Sequence, residues 1–573
     1  MALVNITIDG REITAQMGQT ILEAAQAAGI DIPTLCDHPA LEAIGACRMC
    51  LVEIEKQRNL QPACTFRVSD GMVIHTESEK AVEAHKFVLE LLFSERNHYC
   101  MYCQMSGDCE LQNLAYRFGL DSWQYPRPYT PLPVDASRQY FVMDHNRCVL
   151  CRRCIRVCQE LVGNYTLGLG GRGAKSMIVA DMDVPFGDSS CISCGTCLQV
   201  CPTGALMDRS SAYRGREVEV ERVKSTCAAC SIGCGIEAIT RDNQLLRIEG
   251  DWDAEVNNGL LCVAGRFDPV DEARRRLFSP LVRQNGRLRA ATWDEALNMA
   301  AKVLNASGAD SVAALVSPRA TNEALDLFAK TFKGVGAANV GNLEPVPEYM
   351  AEAEGSLAAL DEADLYLLVG EDLSVDHEVA GMAVRRGVMN RGAHLVIVSD
   401  EANGMGEMAR YQFKTDDVEQ AIALAVGAER PVVVYGASAG AALPKLREAL
   451  ADKAQFLGLV PGSNGRGAVA AGLGGAFQPD GIKAVFALIA DDEVDEALLA
   501  ALQDAEALIV QATYESPLTQ RADVVLPTTI WAEKSGTFTN TEGRVLELQA
   551  SLKPPMSVKD DLEILQALAE KLA

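Results

Sequence analysis

A multidomain chain is predicted, α+β and metal-rich in its first half and α/β in its second. Three observations predict it. At 573 residues the chain is too long for one core, since domains run to about 150 residues. All nineteen cysteines lie between Cys36 and Cys262, and that many in a chain with no secretory signal point to metal rather than disulfides. Beyond residue 270, apolar strand-like runs alternate with helical patterns, as parallel α/β layers require.

The composition, 48% hydrophobic and 23% charged, is that of a globular protein. A net charge of −26 argues against nucleic-acid binding and against a basic membrane-surface patch. No run reaches the length of a transmembrane helix. The opening MALVNITIDG lacks the charged start and apolar core of a signal peptide. The expected location is cytoplasmic, or peripheral on the cytoplasmic side of a membrane through partner subunits.

Residues 3–10 alternate apolar and polar and return through Arg11-Glu12-Ile13 as a hairpin. Thr20 to Gly29 reads as a capped helix closed by glycine. Cys36-x10-Cys47-x2-Cys50-x13-Cys64 follows, with three cysteines expected on one loop and the fourth on a later strand. Small Gly45 and Ala46 would let backbone N–H groups approach the sulfurs. His38 stands nearby and is read as a solvated loop residue. Residues 79–93 have helical apolar spacing and deliver the chain into His98-x-Cys100-x2-Cys103-x5-Cys109. Three thiolates and one imidazole can complete a four-iron site.

The four prolines of residues 124–133 mark an extended linker. Gln139–Asp144 reads as a strand into the densest stretch: Cys148-x2-Cys151-x2-Cys154-x3-Cys158, then Cys191-x2-Cys194-x2-Cys197-x3-Cys201-Pro202. Each half is the run that holds a [4Fe–4S] cluster in two-cluster ferredoxins, where the fourth cysteine crosses to the other cluster. One set is then Cys148, Cys151, Cys154 and Cys201; the other is Cys191, Cys194, Cys197 and Cys158. Two structural zinc sites are the bland alternative, but zinc calls for paired C-x2-C units rather than two triplets with trailing cysteines. The glycines between the halves, Gly163 to Gly173, match neither G-x4-G-K-[ST] nor G-x-G-x-x-G, and are read as a connector before a strand at Ser176–Ala180. Last comes Cys227-x2-Cys230-x3-Cys234-x27-Cys262, with small Ala228, Ala229, Gly233 and Gly235 suited to a cube. Sites of four, three, eight and four cysteines use all nineteen.

In the second half, strands are expected at Val312–Val316, Leu365–Val369, His394–Val398, Val432–Tyr435, Ala484–Ile489 and Ala507–Gln511. Helices are expected at Asp417–Ala425 and Ala442–Leu450.

These motifs resemble known families over nearly the whole chain. The first cysteine set resembles the [2Fe–2S] site of the plant-type ferredoxin fold, in the longer form of the complex I iron–sulfur subunit. The Cys100–Cys109 motif resembles the one-histidine, three-cysteine cluster of complex I, NAD-linked formate dehydrogenases and iron-only hydrogenases. In that family the histidine stands at H-x3-C, where this chain has Arg96, which cannot ligate. His98 is the substitute, with a ligand from elsewhere as the alternative. Cys227–Cys262, Leu277–Val282, Thr292–Leu297 and Ala522–Arg544 resemble the molybdopterin oxidoreductases.

The resemblance implies six segments: a ferredoxin-like β-grasp [2Fe–2S] domain (1–78), a one-histidine/three-cysteine [4Fe–4S] domain (79–120), a linker (121–140), a two-[4Fe–4S] ferredoxin domain (141–215), a molybdopterin-oxidoreductase-type [4Fe–4S] domain (220–273) and a truncated molybdopterin-oxidoreductase-like α/β domain (274–573). It implies one [2Fe–2S] and four [4Fe–4S] clusters. A working pterin site is disfavoured. No cysteine follows Cys262, Ala264 stands where working relatives have lysine, and the resemblance leads us to expect no closing C-terminal domain. The Asn540-Thr-Glu segment then reads as an inherited turn. A self-contained iron-only hydrogenase is excluded for want of downstream cysteines. The implied function is that of an electron-transfer subunit of an NADH-linked oxidoreductase of complex I type, with no self-contained catalytic site. Its implied partners are a flavin/NADH-binding subunit, a thioredoxin-like [2Fe–2S] subunit, and a quinone-reducing, hydrogenase or formate dehydrogenase module. A pterin-dependent formate dehydrogenase is the alternative, as is an electron-transfer subunit of an NAD-coupled or bifurcating hydrogenase. The last cube is read as a structural or off-path relic.

Overall fold

The computed structural model describes residues 2–125, 131–478 and 481–572. They form two compact units, Met1–Val220 and Glu221–Ala573. Part of the expected proline linker, residues 126–130, lies outside the described residues.

The first unit opens on the expected hairpin, Leu3–Ile8 against Arg11–Gln16. Asp9 and Gly10 both take positive φ, 49° and 79°, the turn whose twist matches paired strands. Leu3–Ile8 also pairs in parallel with Val73–His75, giving a five-stranded sheet completed by Leu51–Ile54 and Gln61–Pro62. The helix Ile21–Ala27 carries a capping box, Thr20 Oγ1 accepting from Glu23 N–H and Glu23 accepting from Thr20 N–H. Its Ile21 and Leu22 close over Ile6, Ile8, Val52 and Ile74.

Helix Glu79–Glu95 buries Leu89 and Phe93 against Leu111 and Leu114 of helix Glu110–Arg117. A three-stranded sheet, Leu206–Asp208, Phe141–Asp144 and Val134–Asp135, underlies the two-cluster stretch. Short helices Arg153–Arg156 and Thr196–Gln199 begin just before or within its triplets.

Two expectations need correction in this unit. Cys64 lies in a turn after Gln61–Pro62 rather than on a strand, because the strand ends where the chain bends toward the other cysteines. The connector contains a strand, Leu167–Gly170, paired antiparallel with Met177–Ala180. Its glycines hid it by removing the alternation a strand normally shows.

The second unit begins with the three-stranded sheet Glu221–Thr226, Gly235–Arg241 and Gln244–Gly250. A seven-stranded sheet runs in the order Arg287–Ala290, Leu281–Gln284, Val524–Pro527, Ala507–Ala512, Ala484–Ala490, Val312–Val316, Asn339–Asn342. From Val524–Pro527 onward its neighbours are parallel, while the leading hairpin is antiparallel. A wholly parallel five-stranded sheet has the order Tyr411–Phe413, His394–Val398, Leu365–Val369, Pro431–Tyr435, Gln455–Gly458. All six expected strands are present. Three of the unforeseen strands, Asn339–Asn342, Tyr411–Phe413 and Gln455–Gly458, lie at sheet edges, where short strands discourage pairing with other chains; Leu281–Gln284 and Val524–Pro527, also unforeseen, lie inside the larger sheet.

The larger sheet's core is anchored by Phe328, Phe332 and Phe486, all fully buried. Phe486 packs with its ring centroid 4.9 Å from Phe332 and 6.1 Å from Phe328. Phe486→Ala is expected to cost about 3–5 kcal/mol, read as a lower urea midpoint for the full chain with far-UV circular dichroism unchanged in buffer.

Candidate metal centres

Cys36, Cys47 and Cys50 lie on the loop preceding Leu51–Ile54, and Cys64 comes back toward them from its turn. The four form two adjacent thiol pairs, Cys36 with Cys47 and Cys50 with Cys64. A hydrogen bond from Cys47 holds Cys36 down at about 6 against its burial. One from Cys50 likewise lowers Cys64. The backbone amide of Cys47 donates to Cys36 Sγ at 3.4 Å, and that of Met49 to Cys47 Sγ at 3.5 Å. Amides of Ala46 and Gly45 add donors to Cys36 and Cys64, the approach expected of this small-residue loop. Two thiol pairs suit two irons.

His98, Cys100, Cys103 and Cys109 line one pocket of about 350 Å³. Phe93 packs edge-on to the His98 ring at 5.3 Å, and His98 Nε2 is buried. Arg96 is turned away, its guanidinium donating to the Ser176 carbonyl at 2.9 Å. Burial pushes the Cys109 thiol up to about 12 and raises Cys100. Two residues unremarked in the sequence matter here. Arg147 Nη1 donates to Cys103 Sγ at 3.4 Å. Gly204 faces the same sulfur, and an added Cβ would lie 2.7 Å from it.

In the two-cluster stretch, Cys201 lies beside Cys148, Cys151 and Cys154, and Cys158 beside Cys191, Cys194 and Cys197. The two triplets wrap identically. Leu150 and Ser193 each precede the second cysteine with φ of 53° and 56°, and Arg152 and Gly195 follow it with φ of 63° and 71°. This aims the amides of Leu150 and Ser193 at Cys148 Sγ and Cys191 Sγ, at 3.4 and 3.3 Å. Left-handed backbone at Leu150 and Arg152 carries a strain of order 1–3 kcal/mol each. No sequence signal marks it, since only Gly195 is a residue that adopts it freely. Burial first, then the neighbouring thiols, raises Cys148 to about 11, Cys151 and Cys158 to about 12, and Cys154 and Cys197 well above the usual thiol range. Burial also raises Cys191.

Buried arginines brace this region. Arg153 grips Glu110 through two bonds of 2.5 and 2.8 Å. Arg156 donates to the carbonyls of Cys36 and Glu42, tying the first cysteine loop to the two-cluster stretch.

In the second unit, Cys227, Cys230, Cys234 and Cys262 gather into one buried set. Burial raises Cys227, raises Cys262 to about 12, and takes Cys230 and Cys234 well above the usual range. The glycine that faces sulfur is Gly265, whose Cβ would meet Cys227 Sγ at 3.1 Å and Cys262 Sγ at 3.8 Å. Gly233 and Gly235 instead make room for Leu546 and Ala254, with which an added Cβ would collide. Asn540 forms a turn: its Oδ1 accepts from the amides of Glu542 and Arg544, and its Nδ2 donates to the Ile232 carbonyl on the cysteine loop. Among the described residues no three His, Cys, Asp or Glu side chains are placed to hold one metal ion. A cubane spreads its ligands over separate irons and makes no such demand.

Five family models match the chain. A 2Fe-2S iron-sulfur cluster binding domain covers residues 1–79, and the NADH-ubiquinone oxidoreductase-G iron-sulfur binding region covers 85–122. The ferredoxin-like domain of NADH-quinone oxidoreductase subunit 3 covers 139–207. The molybdopterin oxidoreductase Fe4S4 domain covers 220–268, and the molybdopterin oxidoreductase model covers 276–438 and 457–571. The G subunit of NADH-quinone oxidoreductase from Streptomyces coelicolor is 31% identical, the match covering 100% of this chain and 79% of that protein. The chain belongs to the family of NADH-quinone oxidoreductase G subunits.

Its relatives differ in length and in acceptor. The G 2 subunit of NADH-quinone oxidoreductase from Rhizobium meliloti is 31% identical over 71% of this chain, and the match spans about half, 49%, of that protein. The NADPH-Fe(3+) oxidoreductase subunit alpha of Geobacter sulfurreducens is 28% identical over 100% of this chain and 81% of its own length. As a member of this family the chain is an iron–sulfur electron-transfer subunit of an oxidoreductase complex, and the formate dehydrogenase alternative is not favoured.

Arg319 beside Cys227 bridges to Asp492 at 2.6 Å and Asp491 at 3.6 Å. Burial, then Asp492, raises the nearby Glu344 to about 7 against the pull of Arg319. The folded chain therefore holds this proton more tightly than the unfolded one. The contribution is complete below about pH 4.5 and lost as pH rises through 7. Glu344→Gln is expected to be more stable than the parent at pH 8, by roughly 1 kcal/mol after discounting for solvent screening, with the gain gone at pH 4; thermal melts at the two pH values check it. Gly204→Ala, which crowds Cys103 alone among the thiols, is expected to lose about four irons per chain and one cubane signal by EPR.

Proposed function

We propose that the chain conducts electrons delivered by a flavin-bearing, NADH-oxidising subunit through five iron–sulfur clusters. The observation that carries this reading is the gathering of all nineteen cysteines, with His98, into sets whose donors match cluster stoichiometry. Cys36, Cys47, Cys50 and Cys64 would hold a [2Fe–2S] cluster. His98, Cys100, Cys103 and Cys109 would hold the first cube. The two crossed sets, Cys148, Cys151, Cys154, Cys201 and Cys191, Cys194, Cys197, Cys158, would hold the next two, and Cys227, Cys230, Cys234 and Cys262 the last.

Such clusters supply one-electron carriers whose potentials respond to burial, charge and hydrogen bonds to sulfur. The protein's own part is visible in these terms. The amides of Met49, Leu150 and Ser193 stabilise the electron-rich sulfur, and so favour the reduced form. Arg147 does the same for Cys103 with a full positive charge. One imidazole in place of a thiolate at His98 removes a negative charge, which raises a cluster's potential, as it does in Rieske centres. Burial keeps water from the sulfurs, and buried thiols lose their protons only in exchange for iron.

A pterin is disfavoured on this reading. Arg319 lines the space beside Cys227 and Ala264 and is held there in an ion pair with Asp492. Among the described residues no helix is long and apolar enough to cross a membrane. Attachment to a membrane would then pass through partners: a flavin/NADH-binding subunit and a thioredoxin-like [2Fe–2S] subunit on the donor side, and a quinone-reducing or hydrogenase module on the acceptor side.

The test is elemental analysis with EPR on the intact complex. Full loading predicts about 18 irons per chain and no molybdenum or tungsten, with cluster signals appearing on addition of NADH. Molybdenum near one per chain, or clusters that NADH cannot reduce in the presence of the flavin subunit, would defeat the reading.

A further inference from the structure

Three buried side chains form a continuous hydrogen-bonded chain leading away from the last cysteine set. Ser231 follows Cys230 directly and is fully buried. Its Oγ lies 2.9 Å from His377 Nε2, and His377 Nδ1 lies 2.8 Å from Glu371 Oε1. His377 sits in left-handed backbone, φ 55° and ψ 36°, at the start of helix Glu378–Arg391. A histidine held there bears strain of order 1–3 kcal/mol, and such strain gathers at working sites. Glu371 is fixed in turn: Asn403 Nδ2 donates to its backbone carbonyl at 2.8 Å, and its carboxylate packs against Gly436, where an added Cβ would collide with Oε2.

The same segment carries charge to the thiols. Asp376 acts on Cys230 and Glu378 on Cys262. Arg385 on the same helix faces Glu378 and Asp372, and Asp268 faces Glu378 from the chain after Cys262. His377 thus stands between the cysteine loop and the Glu371 carboxylate, joined to both by hydrogen bonds. A serine hydrolase triad has the same order of groups, but Ser231 has no exposed surface for a substrate to reach.

We propose that the Ser231–His377–Glu371 chain couples electron arrival at the Cys227–Cys262 cluster to uptake of one proton by His377. The proposal rests on the assignment of a cube to those four cysteines. One electron from the NADH-driven chain would add one negative charge to such a cluster, and His377 would take one proton from solvent to offset it. The imidazolium is held by Glu371 and faces the cluster loop through Ser231. The two charges cancel, and oxidation releases the proton again.

EPR-monitored redox titration of the iron-loaded full chain between pH 6 and 9 tests this, following the signal that is lost in Cys262→Ala. The wild-type cluster is expected to become tenfold harder to reduce per pH unit over part of this range, about 59 mV for one electron. His377→Gln is expected to keep the signal and abolish the slope. Gly436→Ala, which displaces the Glu371 carboxylate, is expected to move the sloping region to lower pH. A flat wild-type profile overturns the proposal even if His377→Gln fails to fold. So does an undiminished slope in His377→Gln, which would leave the triad a structural tie. If Cys262→Ala loses neither iron nor a signal, the cube assignment itself fails, and the coupling with it.

Discussion

Crowded, buried sulfur is the constraint on which the rest of this chain depends. Thiols packed side by side in a low-dielectric interior cannot ionise together, because each thiolate repels the next and none is solvated. The two-cluster stretch shows this most plainly: burial and mutual repulsion raise most of its thiols far above their ordinary range. A multiply charged metal centre bound there would let several thiolates coexist in that space. The loops around them are correspondingly not self-supporting. Their amides point inward at sulfur, and their left-handed residues are held in place by what they enclose.

This explains which features were legible in the sequence. The candidate ligands were legible because spacing and residue type are the chemistry itself. C-x2-C-x2-C triplets, the distant Cys262 and the histidine before Cys100 need no fold to be noticed. The parallel strands of the second unit were equally plain. Buried on both faces, Val312–Val316 and Leu365–Val369 read as unbroken apolar runs. What stayed hidden is set by three-dimensional contact. Arg147 and Gly204 come to Cys103 from 44 and 101 positions away in the chain, and nothing local announces them. Gly233 and Gly235 were noticed for the right property and given the wrong neighbour. Short edge strands and the glycine-rich Leu167–Gly170 carry too little pattern to be recognised.

The second unit matches the molybdopterin oxidoreductase model, and the side chains near its last cysteine set are engaged with one another. Arg319, Asp491 and Asp492 line the ground beside the last cysteine set, where a large cofactor would need open space. Asn540 spends its side chain closing a turn and bracing Ile232. Yet the region is not inert filling, for His377 and Glu371 reach into the cluster loop through Ser231.

The crossing of Cys158 and Cys201 has a consequence for how the protein is made. Each triplet borrows its fourth sulfur from the other half, so neither half is a finished container. A chain caught with one site filled and the other bare would hold a loop half in place, with one thiol already committed across the gap. If these sets hold two cubes, intermediate forms are disfavoured and the stretch is expected to mature as a single event. Quality control of the whole protein can then rest on whether these eight sulfurs closed together.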